Sequence, residues 1–186
     1  MSAQSSPLTN IKVLDFSQNL PGPYATSLLV SMGAEVIKVE PPKGDQARAI
    51  RPLFDLVNKG KKSIVLDFKK AEDRKKAKTL STKVDVLLEG FRPHVMKKYE
   101  LDYNSLKEQN QKLIYCSLSG YGQEGPYRND PAHDLNFQAF SGVSHMQRGS
   151  KENPQSISLP IADLSGGLKA YASIMTALYH REQTNL

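Results

Sequence analysis

The chain has 186 residues, 25 Lys plus Arg against 19 Asp plus Glu, and a formal net charge of +6. At about 100–200 residues per domain, that length holds one domain, or one domain and a fragment. Charged residues at 24% and apolar residues at 39% fit a globular chain with a modest core and exclude disordered, collagen-like and low-complexity classes.

Residues 1–10 are polar, lack an apolar signal core and read as a flexible N-terminus without an export signal. Residues 11–16 form an apolar, β-branched run that predicts a strand, followed by the turn Pro21-Gly22-Pro23. The uncharged stretch 16–34 is broken by those prolines and rich in Ser and Thr, so it is not a membrane span. Within it, apolar positions 25, 28, 29 and 32 predict a helix over 24–34 that stops at Gly33. Residues 35–40 read as a second strand ended by Pro41-Pro42, and 63–68 as a third.

Residues 59–78 hold nine Lys or Arg and three acids, a local +6, so the rest of the chain is balanced. A helix over 69–83 presents most of these lysines to solvent. Too few aromatics or arginines interleave with them for a nucleic-acid partner, although a few close together suit an anionic small molecule. A fourth strand follows at 84–88, then a polar helical stretch over 93–109 and a fifth strand at 112–118. The single cysteine, Cys116, lies in that strand, where a small buried residue is expected. One cysteine excludes a disulfide framework and an all-cysteine zinc site, and fits a reducing, cytoplasmic compartment.

Beyond a loop at 126–131, a short helix spans 133–141 and 142–159 is irregular. The clearest helix covers 161–180, with apolar positions 164, 168, 171, 174, 175 and 178 and Asp163 at the N-cap. Apolar strands separated by helices predict an α/β fold: an open, Rossmann-like, mostly parallel sheet with flanking helices. Ligands on such sheets sit beyond the carboxyl ends of the strands. Neither a G-x-G-x-x-G after the first strand nor a Walker sequence is present.

Six segments in order carry a resemblance. They are Lys12-Val13-Leu14-Asp15 with Pro21-Gly22-Pro23, residues 33–41, residues 61–67, residues 85–93, Leu113-Ile114-Tyr115, and residues 119–126. Together they resemble the family III CoA-transferases (CaiB/BaiF). Within that superfamily, Ala132-His133-Asp134-Leu135-Asn136-Phe137 and Ile161-Ala162-Asp163-Leu164-Ser165-Gly166-Gly167 are most similar to the α-methylacyl-CoA racemases. Departures are His94 and Glu100, where the family usually has glycine, and Pro41, where it often has a basic residue.

The resemblance implies an isomerase that exchanges the α-proton of 2-methylacyl-CoA thioesters, with His133 and Asp163 as the two proton-transfer groups. Such chemistry needs groups on both faces of the carbon and a stabilised enolate oxygen, for which the backbone N–H groups of Gly166 and Gly167 are candidates. The alternative is a CoA-transferase with Asp163 as nucleophile, and a third reading is a non-catalytic CoA-binding half-subunit. Asp134 either orients the imidazole or caps its helix, and His94, His145 and His180 carry no motif.

For CoA, bound as part of the substrate and not as a tightly held cofactor, the resemblance points to Asn19, Leu20, Leu66, Lys69, Gly90, Phe91, Arg92 and Lys98, with no metal. It divides the chain into the N-terminus 1–10, a CoA-binding large-domain portion 11–162, and a long helix 163–186 before the family's second, smaller domain. The expected partner besides the acyl-CoA substrate is a second copy, as a homodimer, or a separate C-terminal half. No nucleic acid and no membrane is expected.

Overall fold

The computed structural model describes residues 6–147 and 158–184. Five short strands build one sheet: β1 (Lys12–Asp15), β2 (Glu35–Glu40), β3 (Lys62–Val65), β4 (Val86–Glu89) and β5 (Ile114–Ser117). They run in the order β3-β2-β1-β4-β5, every pair parallel. The α/β class and the open parallel sheet predicted from the apolar runs are therefore what the chain forms. Strand order reverses between β1 and β4, the switch point at which α/β sheets open a crevice.

The connecting helices are α1 (Pro21–Ser31), α2 (Arg51–Asn58), α3 (Ala71–Ser81), α4 (Val95–Lys98) and α5 (Tyr103–Leu106). After β5 come α6 (Asp134–Phe140), α7 (Val143–Met146) and α8 (Ile161–Thr184). Helix α1 starts three residues earlier than the apolar period suggests, because Pro21 has its fixed φ and missing N–H at the first helical position. The polar stretch 93–109 is two single-turn helices, not one. Helix α2 and a preceding 3₁₀ turn at Gln46–Ala49 went unread, since their mixed charges mask the buried Phe54 and Val57. Most of the irregular stretch expected at 142–159 lies outside the described residues, and its start is helical in α7.

Alternate strand residues feed two cores. Val13, Val36, Val86 and Leu88 face α1 and α8, meeting Ala25, Leu29, Ala170, Ile174 and Leu178. Leu14, Phe16, Val39 and Leu87 face the other side, against Ala77, Met96, Leu101 and Leu106. Helix α8 thus buries a stripe against its own sheet and α1, but not through every predicted position: Leu168 is 52% exposed, and Gly167 and Ala170 take its place.

Gly167 allows the close approach of α8 to α1. A Cβ there would stand 2.5 Å from the Pro21 carbonyl oxygen and 2.9 Å from the Tyr24 ring. Backbone cannot yield as a side chain can. Gly167→Ala is therefore expected to cost about 1–3 kcal/mol in urea unfolding, despite the roughly 1 kcal/mol that Ala gains over Gly in a helix. A stability equal to wild type would show that α8 slides on α1.

Candidate active site

A cleft of about 540 Å³ opens at the carboxyl ends of β1, β4 and β5, at the reversal of strand order. One wall is the β1–α1 loop (Ser17, Gln18, Asn19) with Gly90, Phe91 and Arg92 after β4. A second part of the lining is His133, Phe137 and Asp163 from the N-terminal halves of α6 and α8. Topology alone predicts a site at this end of the sheet, and the cleft lies there.

Buried charges shape the first wall. Asp15 ends β1 fully buried; its Oδ1 accepts from the Ser17 N–H at 2.9 Å and also from the Ser17 hydroxyl. Its Oδ2 accepts from Thr26 Oγ1 at 2.6 Å and pairs with Lys61 Nζ at 3.3 Å. Burial would raise the Asp15 pKa, but Lys61, Lys38 and the two hydroxyls more than reverse it, leaving it lowered. The Lys61 side chain is itself 1% exposed; burial brings its pKa down to about 8 against the pull of Asp15. Lys61 precedes the helix whose lysines face solvent, and unlike them its ammonium is buried in an ion pair. At the end of β4, Glu89 Oε2 accepts from the Phe91 N–H at 2.8 Å where the chain turns into the cleft; burial raises its pKa.

The second wall depends on a tight approach. Phe137 of α6 packs where a Cβ on Gly120 would stand 2.3 Å from its ring, and Tyr121 meets the same ring edge-on at 5.2 Å between centroids. His133 is the N-cap of α6, its N–H donating to Asn136 Oδ1 at 2.9 Å. Asp163 is the third residue of α8, not its N-cap: the helix begins at Ile161, and Leu164 N–H already donates to Pro160 O at 3.0 Å. For the same reason the amides of Gly166 and Gly167 lie inside the helical ladder and are not free oxyanion donors. Gly166 borders the cleft, whereas Gly167 serves helix packing.

Asp134 touches Asp163 and not the imidazole among its described bonds. Its Oδ1 accepts from the Asp163 N–H at 2.9 Å, and its Oδ2 takes the Gln138 amide, which also reaches Leu159 O at 3.3 Å. Burial and then the Asp134 charge raise the Asp163 pKa, while His133 lowers it. Asp134→Asn keeps an acceptor for the Asp163 N–H and removes the charge. The Asp163 carboxyl is then expected to titrate at lower pH by ¹³C NMR, so any activity needing the carboxylate extends to more acid pH. An unchanged titration would mean that burial alone sets it.

Of the residues that the resemblance gives to CoA, the cleft brings together Asn19, Gly90, Phe91 and Arg92. Leu20 and Leu66 are buried in the fold and do not line it. Lys69 is exposed on the β3–α3 turn. Lys98 lines a second, basic groove with Arg74, Lys75 and Lys78; Lys75, expected on a featureless solvated face, stands in that groove as well. Gln18 and Tyr121, just beyond the ends of β1 and β5, also border the main cleft, as do Arg128 and Asp130, which no sequence motif marked. The Gly120-Tyr121 segment was the available signal, since it follows a strand end. No helix among the described residues is long and apolar enough to cross a membrane.

Comparison with known proteins agrees with this architecture. The profile of CoA-transferase family III matches residues 8–186. An acetyl-CoA:oxalate CoA-transferase of Acetobacter aceti is 40% identical over 188 residues, covering 96% of this chain and 48% of its own. Crystal structures of a Mycobacterium tuberculosis protein and of a CaiB/BaiF family protein from Brucella suis each superpose with a TM-score of 0.93 at 36% identity. Each covers 98% of this chain, against 53% and 51% of their own. The chain spans about half the length of the curated relatives it matches. With the switch-point cleft and a family match over nearly its whole length, the chain belongs to the family III CoA-transferases.

Proposed function

We propose that this chain carries out CoA-thioester chemistry as a CoA-transferase, with the Asp163 carboxylate as nucleophile and a carboxylic acid as acceptor. The observation that carries it is a half-buried Asp163 lining the same cleft as Gly90, Phe91 and Arg92. A carboxylate oxygen bonds to the thioester carbonyl carbon, the C–S bond breaks, and CoA leaves as thiolate, so an aspartyl–acyl anhydride remains. The name of the Acetobacter aceti relative supports transfer. Asn19 and Arg92 would hold the CoA portion, Arg92 through charge-assisted bonds to phosphate.

His133 in the same cleft favours a second reading, α-proton exchange between His133 and Asp163 as in the racemases. One experiment separates the two: a 2-methylacyl-CoA in D₂O, followed by ¹H NMR with and without an added carboxylate. CoA transfer to the acid, with no exchange in its absence, is the expected result. Exchange without acceptor makes the chain racemase-like, and CoA binding with neither leaves a binding subunit. We place this chemistry in a homodimer, supported by the exposed Leu168 and Tyr179 on α8. A monomer by light scattering at full activity would exclude that assembly.

A further inference from the structure

Lys38 sits in β2, between β1 and β3, where both faces of the sheet are covered, and it is 1% exposed. Its Nζ lies 2.7 Å from Asp45 Oδ2 and donates to the Ser17 carbonyl at 2.9 Å. The other Asp45 oxygen, Oδ1, accepts from the backbone N–H of Asn19 at 3.0 Å and of Ala47 at 2.9 Å. Asp45 is braced in turn: Glu40 Oε2 accepts its N–H at 3.0 Å while pairing with Arg48 at 2.7 Å.

Burying a lysine and a carboxylate is costly, and an apolar pair of similar volume would serve a core as well or better. What such a pair would lack is the directed bonds to the loop backbone. They bear on Asn19, whose φ of 64° is a left-handed conformation that Asn tolerates better than most residues but that an unheld loop would leave for the β region part of the time. We propose that the Lys38–Asp45 pair is the positioning device of the β1–α1 loop, fixing Ser17 and Asn19 so that Gln18 and Asn19 meet a CoA thioester in a preformed wall. The ligand in this statement rests on the functional reading above, whereas the loop geometry does not.

Two measurements test it. In the unaltered chain, amide hydrogen exchange at Asn19 is expected to be slow before CoA is added and no slower after. Fast exchange that slows only with CoA would overturn the proposal, since the ligand would then shape the loop. In Lys38→Met/Asp45→Asn, both charges leave together and the Asn oxygen still accepts from Asn19 and Ala47, so no buried charge is stranded. CoA affinity by calorimetry is expected to fall about tenfold, the equivalent of one lost directed bond, with shifted Ser17 and Asn19 amide resonances and a retained melting transition. Unchanged affinity in that variant overturns it. Should the variant fail to fold, Asn19 exchange in the unaltered chain decides. Should the unaltered chain not bind CoA, the functional reading falls, and Asn19 protection still decides the loop.

Discussion

Asp163→Asn is expected to lower acyl-CoA turnover by at least about 10²–10⁴-fold, the range supplied by one proton-transferring group, and to leave the fold and CoA affinity near wild type. An amide can neither form the anhydride nor take an α-proton, so both chemical readings require this loss. The fold should survive, because Asp134 holds Asp163 through its backbone N–H at 2.9 Å and not through the side chain. Steady-state rates with circular dichroism and CoA calorimetry check all three parts. His133→Ala then divides the readings, with transfer keeping most of its rate and α-proton exchange losing it. Full turnover in Asp163→Asn would place the chemistry on another group.

Asp15→Ala should have the largest effect on stability, about 3–5 kcal/mol, because it strands a buried cation. The Lys61 side chain is 1% exposed and its ion-pair partner is Asp15, which also feels the buried Lys38. Against a total of about 5–15 kcal/mol, that loss brings the domain close to unfolding. The loss has a definite pH dependence. Native Lys61 gives up its proton near pH 8, and it does so at lower pH once Asp15 is gone. Between those two values the variant binds fewer protons than the native wild type, so the difference in stability shrinks as pH rises through 8. Urea unfolding at pH 7 and 9.5 reads both, and Asp15→Ala/Lys61→Met should recover part of the loss. A cost below about 1 kcal/mol at pH 7, the level of an exposed pair, would mean that the ion pair behaves as solvated.

Much of the site was legible for a topological reason. Once β1 and β4 are recognised as apolar runs, their carboxyl ends must lie together, and Asn19, Gly90 and Arg92 with them. His133 and Asp163 came from motif resemblance, and the structure places both in the same cleft. Lys98 and Lys69 did not join them, because a long flexible side chain after a strand or on a short helix has no fixed direction in sequence.

By itself, the sequence determined the parallel sheet, the long terminal helix and the end of the sheet where a site opens. Each follows from local periodicity and from the rule that consecutive parallel strands need crossover helices. Only the tertiary structure decided which charges are buried. Lys38 and Lys61 look like surface lysines in a basic chain, yet Lys38 belongs to a strand flanked on both sides, and Lys61 pairs with Asp15, 46 residues away. Likewise Gly166 and Gly167 look alike, until α8 starts at Ile161 and turns one toward the cleft and the other onto Pro21. Burial, ion pairing and helix phase depend on what packs against a residue, and that is a property of the assembled fold.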